Sequence, residues 1–181
     1  MPLTASGAAV HDAAASRNGV TSSSGLHAVR LPAFIEFGAD DLATLIEVNA
    51  LRAAGISPRL QQLEARIAAR YAAHCRLAVY GSLAPARSNH DQLQNLRGDW
   101  HSGCTVRGEL IDRGWGAGLG YPALRWSMSG PAVRVELFAS DELPSHWQRL
   151  DEFEGADYLR IVVPVYAGTS VVTVANLYAA R

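Results

Sequence analysis

The hydrophobic positions of this chain fall into three successive regimes. Residues 1–30, containing "TASGAAVHDAAASRNGVTSSSG", are rich in Ala, Ser, Gly and Thr and carry no period. Such a stretch has too little apolar surface to order itself and is read as a disordered tail. Residues 31–74 have helical periodicity and are read as a two-helix arm. From Asp40 to Ala54, Leu42, Leu45, Ile46 and Asn49 share one face at about 100° per residue. "GIS" interrupts the pattern, Ser57 is placed to cap, and Pro58 opens a second helix whose stripe is Leu60, Leu63, Ile67 and Tyr71. Neither stripe is buried unless the helices dock on the rest of the chain or on a second copy of it, so a homodimer through these helices is one expectation.

After Cys75 the period falls to two. "RLAVYGSL", "TVRGELID", "PAVRVELFAS", "LRIVVPVYA" and "SVVTVANLYAA" have the β-branched content and alternation of strands. "GWGAGLGYP" reads as loop, and a short helix is expected near "HDQLQNL". Residues 75–181 therefore form one α+β domain, a mostly antiparallel sheet or barrel with few helices.

One helix in this half breaks its own pattern. In "LPSHWQRLDEFEG", Pro144 suits a first turn and Gly155 a C-terminus, with Leu143, Trp147, Leu150 and Phe153 as the apolar stripe. Asp151 and Glu152 fall off the stripe, as charges on such a helix should. Glu154 falls in its middle, one turn after Leu150. Either the last turn frays and Glu154 reaches water, or it is a carboxylate facing the interior. In the second case burial and the negative end of the helix would both raise its proton affinity toward the range of a general base.

Composition narrows the chemistry. The chain has 181 residues, 49% hydrophobic and 18% charged, with a net charge of −1, as expected of a globular protein with a real core. The 16 basic residues are all Arg, which excludes a Schiff-base lysine and a P-loop lysine. The arginines of the arm are matched by acids, so no basic footprint for nucleic acid or an anionic membrane stands out. No apolar run reaches the roughly 18 residues of a membrane span, and the N-terminus lacks a secretory pattern. Cys75 and Cys104 are too few for a disulfide framework and read as reduced thiols, which favours a cytoplasmic location.

Several motifs fail on inspection. "GWGAGLG" has no GxGxxG spacing and opens no helix. "YGSLA" lacks the GxSxG elbow, and nothing brings His90 or His101 to Ser82. The six histidines have no ligand spacing, so neither metal nor cofactor is expected. "YGSL" does have a strand running into a glycine-containing loop, which is either a tight turn or a set of backbone N–H groups able to bind an anion or carbonyl oxygen.

Taken in order, "VYGSL", "VRGEL", "YPAL", "VELF", "RLDEFEGADYLR" and "ANLY" resemble the gamma-glutamylcyclotransferase family in its AIG2-like branch, over roughly Arg76 to Arg181. The resemblance implies a small β-barrel with flanking helices around a polar cavity, preceded here by the helical arm. It implies cyclisation of a gamma-glutamyl amine or amino acid to 5-oxoproline with release of the amine, and it implies no cofactor or metal. Glu154 takes the place of the family's catalytic acid/base. Tyr80, Gly81, Ser82 and Leu83 take the place of the loop that holds the glutamyl group, and Tyr158 and Tyr178 that of two tyrosines of the site. Two departures are visible: Leu83 stands where many relatives carry Asn, and Val135 in "VRVELF" stands where they carry glycine. A non-catalytic small-molecule binding module on the same fold is the rival expectation.

Overall fold

The computed structural model describes residues 34–181. The tail expected over residues 1–30 lies outside them. Two helices come first, α1 (Ala39–Ala54) and α2 (Pro58–Tyr71), followed by β1 (Arg76–Val79), the single-turn α3 (Asp91–Gln94), β2 (Asp99–Ile111), β3 (Ala123–Trp126) and β4 (Ala132–Ala139). Then come α4 (Leu143–Glu154), β5 (Tyr158–Ala167) and β6 (Ser170–Ala180). Ser57 does cap α2, its Oγ accepting from the Leu60 N–H at 3.1 Å.

Five strands, in the order β2-β4-β1-β6-β5, close into a barrel when β5 returns to β2 at Thr105 and Tyr166. Four of the pairings are antiparallel, and β1 runs parallel to β6 with Leu77 opposite Asn176. The barrel is filled by side chains from alternate positions, among them Val106, Val135, Leu137, Val163, Val165 and Leu177. β3 lies outside this circuit, paired to the far end of β2 from Gly108 to Ile111. The sequence pattern did not mark β3, because four residues after a glycine-rich loop give too short a run to show alternation.

Both arm helices dock on the barrel of their own chain. Leu45, Val48, Leu60, Leu63, Ile67 and Tyr71 form one cluster with Val162 of β5 and Val174 of β6. The buried face of α2 is the stripe read from the sequence. That of α1 is not: Leu45, Val48 and Asn49 are buried, Leu42 is half-buried and Ile46 is 50% exposed. Asn49 accounts for the rotation. Its Nδ2 donates to the Val162 carbonyl at 2.9 Å and its Oδ1 accepts from the Val162 N–H at 2.8 Å. β5 meets β2 in register only at its Tyr166 end, so a side-chain amide here does what a neighbouring strand would do.

Candidate active site

α4 sets the geometry of the site. Its inward face is Leu143, Trp147, Leu150 and Glu154, all buried, while Phe153 is half-buried under the edge of Trp115. Gly155 ends the helix with φ +73°, a conformation that favours glycine, and its N–H closes the last turn on the Asp151 carbonyl. The last turn is therefore held rather than frayed, and Glu154 is only 8% exposed.

Glu154 opens onto a pocket of about 430 Å³ of empty space, its open mouth included. The end of β1 and the following loop (Tyr80, Gly81, Ser82, Leu83) form one wall, and Tyr158 of β5 and Tyr178 of β6 another. Every residue the sequence singled out for the site lines this one pocket. No described residue donates a hydrogen bond to the Glu154 carboxylate. Burial, with a smaller push from the charge of Asp151, raises its pKa from 4.5 to about 7.

The individual residues are held in different ways. The Tyr80 hydroxyl donates to the Tyr178 carbonyl at 2.8 Å and accepts from the Leu124 N–H at 3.0 Å, which ties β1 to β6 and β3. The Tyr178 hydroxyl donates to Asp151 Oδ1 at 2.7 Å. Their rings line the pocket while their hydroxyls are occupied in the scaffold. Tyr158 packs its hydroxyl against Gly114, where a Cβ would come within 2.5 Å of it. Burial raises the pKa of all three phenols, so they are neutral near pH 7. Ser82 is buried, its Oγ accepting from Asn89 Nδ2 at 2.9 Å, and the Asn89 N–H donates to the Ser82 carbonyl at 3.0 Å. No described histidine touches Ser82; His90 faces the Leu83 carbonyl instead. The N–H groups of Gly81, Ser82 and Leu83 have no backbone acceptor among the described residues.

Two features of the site were not visible in the sequence. Trp115 lies in the glycine-rich loop, 38% exposed, and with Gly116, Tyr121 and Pro122 forms the remaining wall. Its Nε1 donates to the Glu154 carbonyl at 3.1 Å and its ring meets Tyr158 edge-on at 6.4 Å. An aperiodic run has no phase from which to read this; a tryptophan among glycines was the one available signal. Asp151 is the second. Periodicity puts it on the solvated side of α4, yet it accepts from Tyr178 and, through both oxygens, from Arg160 at 2.8 and 3.0 Å. Among the described residues, no group of His, Cys, Asp and Glu is arranged to hold a metal ion, and no helix is long and apolar enough to cross a membrane.

A closed five-stranded mixed barrel with flanking helices, and a largely apolar, tyrosine-lined pocket with a buried carboxylate in its wall, define the architecture; the resemblance had implied a polar cavity. The sequence model described as gamma-glutamyl cyclotransferase, AIG2-like, matches residues 77–181, and the chain belongs to that family. No curated protein matches the chain in sequence. Among solved structures it is similar to YkqA from Bacillus subtilis, at 24% identity and a TM-score of 0.45, over 59% of this chain and 36% of that one. It is also similar to an AIG2-like protein from Mus musculus, at 22% identity and a TM-score of 0.46, over 59% of this chain and 77% of that one. An uncharacterised protein from Pyrococcus horikoshii shares 20% identity over 58% of this chain and 76% of its own, with a TM-score of 0.36. Family membership points to an activity of the cyclotransferase type.

Proposed function

We propose that the protein cyclises a gamma-glutamyl amine or amino acid to 5-oxoproline and releases the attached amine, with Glu154 as general acid and base. One observation carries the reading: a carboxylate without a hydrogen-bond partner among the described residues, buried in the wall of a pocket, where burial raises its pKa to about 7.

The reaction needs little beyond such a group. Nucleophile and carbonyl belong to one molecule, and closure of a five-membered ring already has the advantage of proximity. The α-amine of the substrate arrives as an ammonium ion. Glu154 takes its proton, and the freed nitrogen forms a bond to the γ-carbonyl carbon. The γ-carbon–nitrogen bond of the amide then breaks, and the proton held by Glu154 passes to the departing nitrogen. The ring nitrogen still carries two hydrogens at this point; it gives one to the emptied Glu154 carboxylate as the lactam forms, and that proton goes out with the amine, which is an ammonium ion at pH 7. Glu154 thus accepts and delivers protons in turn, which suits a group with a pKa of about 7 better than one of 4.5.

In this reading Tyr80, Gly81, Ser82 and Leu83 hold the glutamyl group. The three amides at Gly81, Ser82 and Leu83 are free to donate to its carboxylate or to negative charge developing on the γ-oxygen. Tyr178 and Tyr80 bind as walls, and Tyr158, neutral near pH 7, closes the side next to Trp115. Leu83, with an apolar side chain at the pocket, favours substrates with no polar demand at that position.

The test is a panel of gamma-glutamyl amines, amino acids and dipeptides incubated with folded protein, with 5-oxoproline measured by mass spectrometry. Release from at least one compound, lost in Glu154→Gln, is expected. No release from any member of a broad panel would overturn the reading and leave a binding module on this fold.

A further inference from the structure

We propose that Asp151 is a positioning residue for Glu154, and that Arg52 of α1, acting through Arg160, governs how strongly Asp151 acts. The proposal deepens the reading of Glu154 as the proton-transfer group and rests on it.

Asp151 stands three residues before Glu154, so the two are neighbours one turn apart, Asp151 at the exposed edge of α4 and Glu154 on its buried face. Its carboxylate is fixed by three hydrogen bonds from two residues. Tyr178 of β6 donates to Oδ1 at 2.7 Å, and Arg160 of β5 donates to Oδ1 at 2.8 Å and Oδ2 at 3.0 Å. Arg160 is fixed in turn, its guanidinium 4.5 Å from the centre of the Trp147 ring and its Nη1 3.4 Å from Asn176 Oδ1. Arg52 reaches the same oxygen at 2.9 Å, donates to the Arg160 carbonyl at 3.1 Å and pairs with Glu64 of α2 at 2.8 Å. Burial, and then the charge of Arg160, lower the proton affinity of Arg52, as expected of two cations drawn onto one acceptor. An unbroken chain of contacts thus runs from the N-terminal helices to the turn that carries Glu154.

The titratable groups that share the pocket with Glu154 are phenols: Tyr80 just after β1, Tyr158 of β5, Tyr178 of β6 and Tyr121 of the glycine-rich loop. The charge that bears on it is that of Asp151, which favours the protonated carboxyl. Arg160 opposes Asp151, because a bidentate guanidinium cancels part of the field that reaches Glu154. Removing Asp151's charge should therefore lower the midpoint of Glu154, and removing either arginine should raise it. A role limited to holding α4 in place would give loss of turnover with no such pair of opposed shifts.

The experiment is a carbon-13 NMR titration of the glutamate side-chain carboxyls in the full chain, with the Glu154 signal identified by its disappearance in Glu154→Gln. Asp151→Asn keeps an oxygen acceptor for Tyr178 and is expected to move the midpoint down by roughly half a pH unit to one unit. The Asp151 side chain is 42% exposed, so added salt should shrink that difference. Arg160→Met and Arg52→Met should move it up, the second by less. An unmoved midpoint in Asp151→Asn, or shifts of the same sign in all three variants, overturns the proposal. The titration needs no substrate. Turnover that survives Glu154→Gln would sink the assignment of Glu154 on its own, so the two failures are told apart.

Discussion

Substituting Glu154 by glutamine keeps size and hydrogen-bonding capacity but removes the proton acceptor. Turnover should fall by roughly 10²–10⁴-fold, while Glu152→Gln, on the exposed side and accepting from Gln148, should leave it near the parent value. Parallel assays with one gamma-glutamyl compound decide this. Stability should move the other way. The pKa of Glu154 is raised from 4.5 to about 7 in the folded state, so its contribution is intact below pH 4.5 and is lost as pH rises through 7. Glutamine does not titrate. The variant should match the parent in urea unfolding at pH 4.5 and exceed it at pH 8, by on the order of 2–3 kcal/mol. Equal unfolding curves at pH 8 would mean that Glu154 is solvated. The phase of this residue was legible because a carboxylate in the middle of an apolar stripe is costly wherever the helix docks. Asp151 was not legible, because the residues that hold it, Arg160 and Tyr178, come from strands that follow α4 in the chain and that periodicity within α4 cannot reveal.

Among the elements, α1 and the glycine-rich loop do most to complete what the strands leave open. Asn49→Leu would fill a similar space but leave the N–H and carbonyl of Val162 without partners. A loss of about 2 kcal/mol or more in urea unfolding is expected; a neutral result would show that water or β2 takes over those groups. Gly114→Ala tests the loop. With φ at +76° and the Tyr158 hydroxyl 2.5 Å from the added carbon, either the loop or the ring must shift. Activity should fall at least tenfold, and the near-ultraviolet circular dichroism of the Trp115–Tyr158 pair should change. The strands β1, β4, β5 and β6 were legible from alternation, as was the part of β2 from Thr105 onward, and α2 from its cap and stripe. The rotation of α1 was not, because the choice between Ile46 and Val48 was made by an amide bonding to a strand far along the chain.

For the molecule as a whole, the arm and barrel share one buried cluster, and their fates should be linked. Deleting residues 1–30 should leave the melting temperature unchanged. Deleting through Tyr71 exposes Val162, Val174 and the open edge of β5, and should lower both melting temperature and solubility. Equal stability of the two truncations would refute the docking. At this scale the order of the motifs pointed to the family and the barrel, and helical periodicity to the need for a docking partner. The identity of that partner, the protein's own β5 and β6, was set by three-dimensional packing alone.

The parallel pairing of β1 with β6 bears on how the protein is made. β1 gains its neighbours only from β4 and β6, both encoded far downstream. While the polypeptide is leaving the ribosome, the Tyr80–Leu83 loop therefore waits for its opposite wall, since Tyr178 follows Tyr80 by 98 residues. Such nonlocal closure carries a large loop entropy, which places refolding nearer the millisecond-to-second range of barrels than the microseconds of helical bundles. It also means that a chain interrupted before β6 has Glu154 but lacks the Tyr178 wall of its pocket and the strand that holds β1 in the barrel.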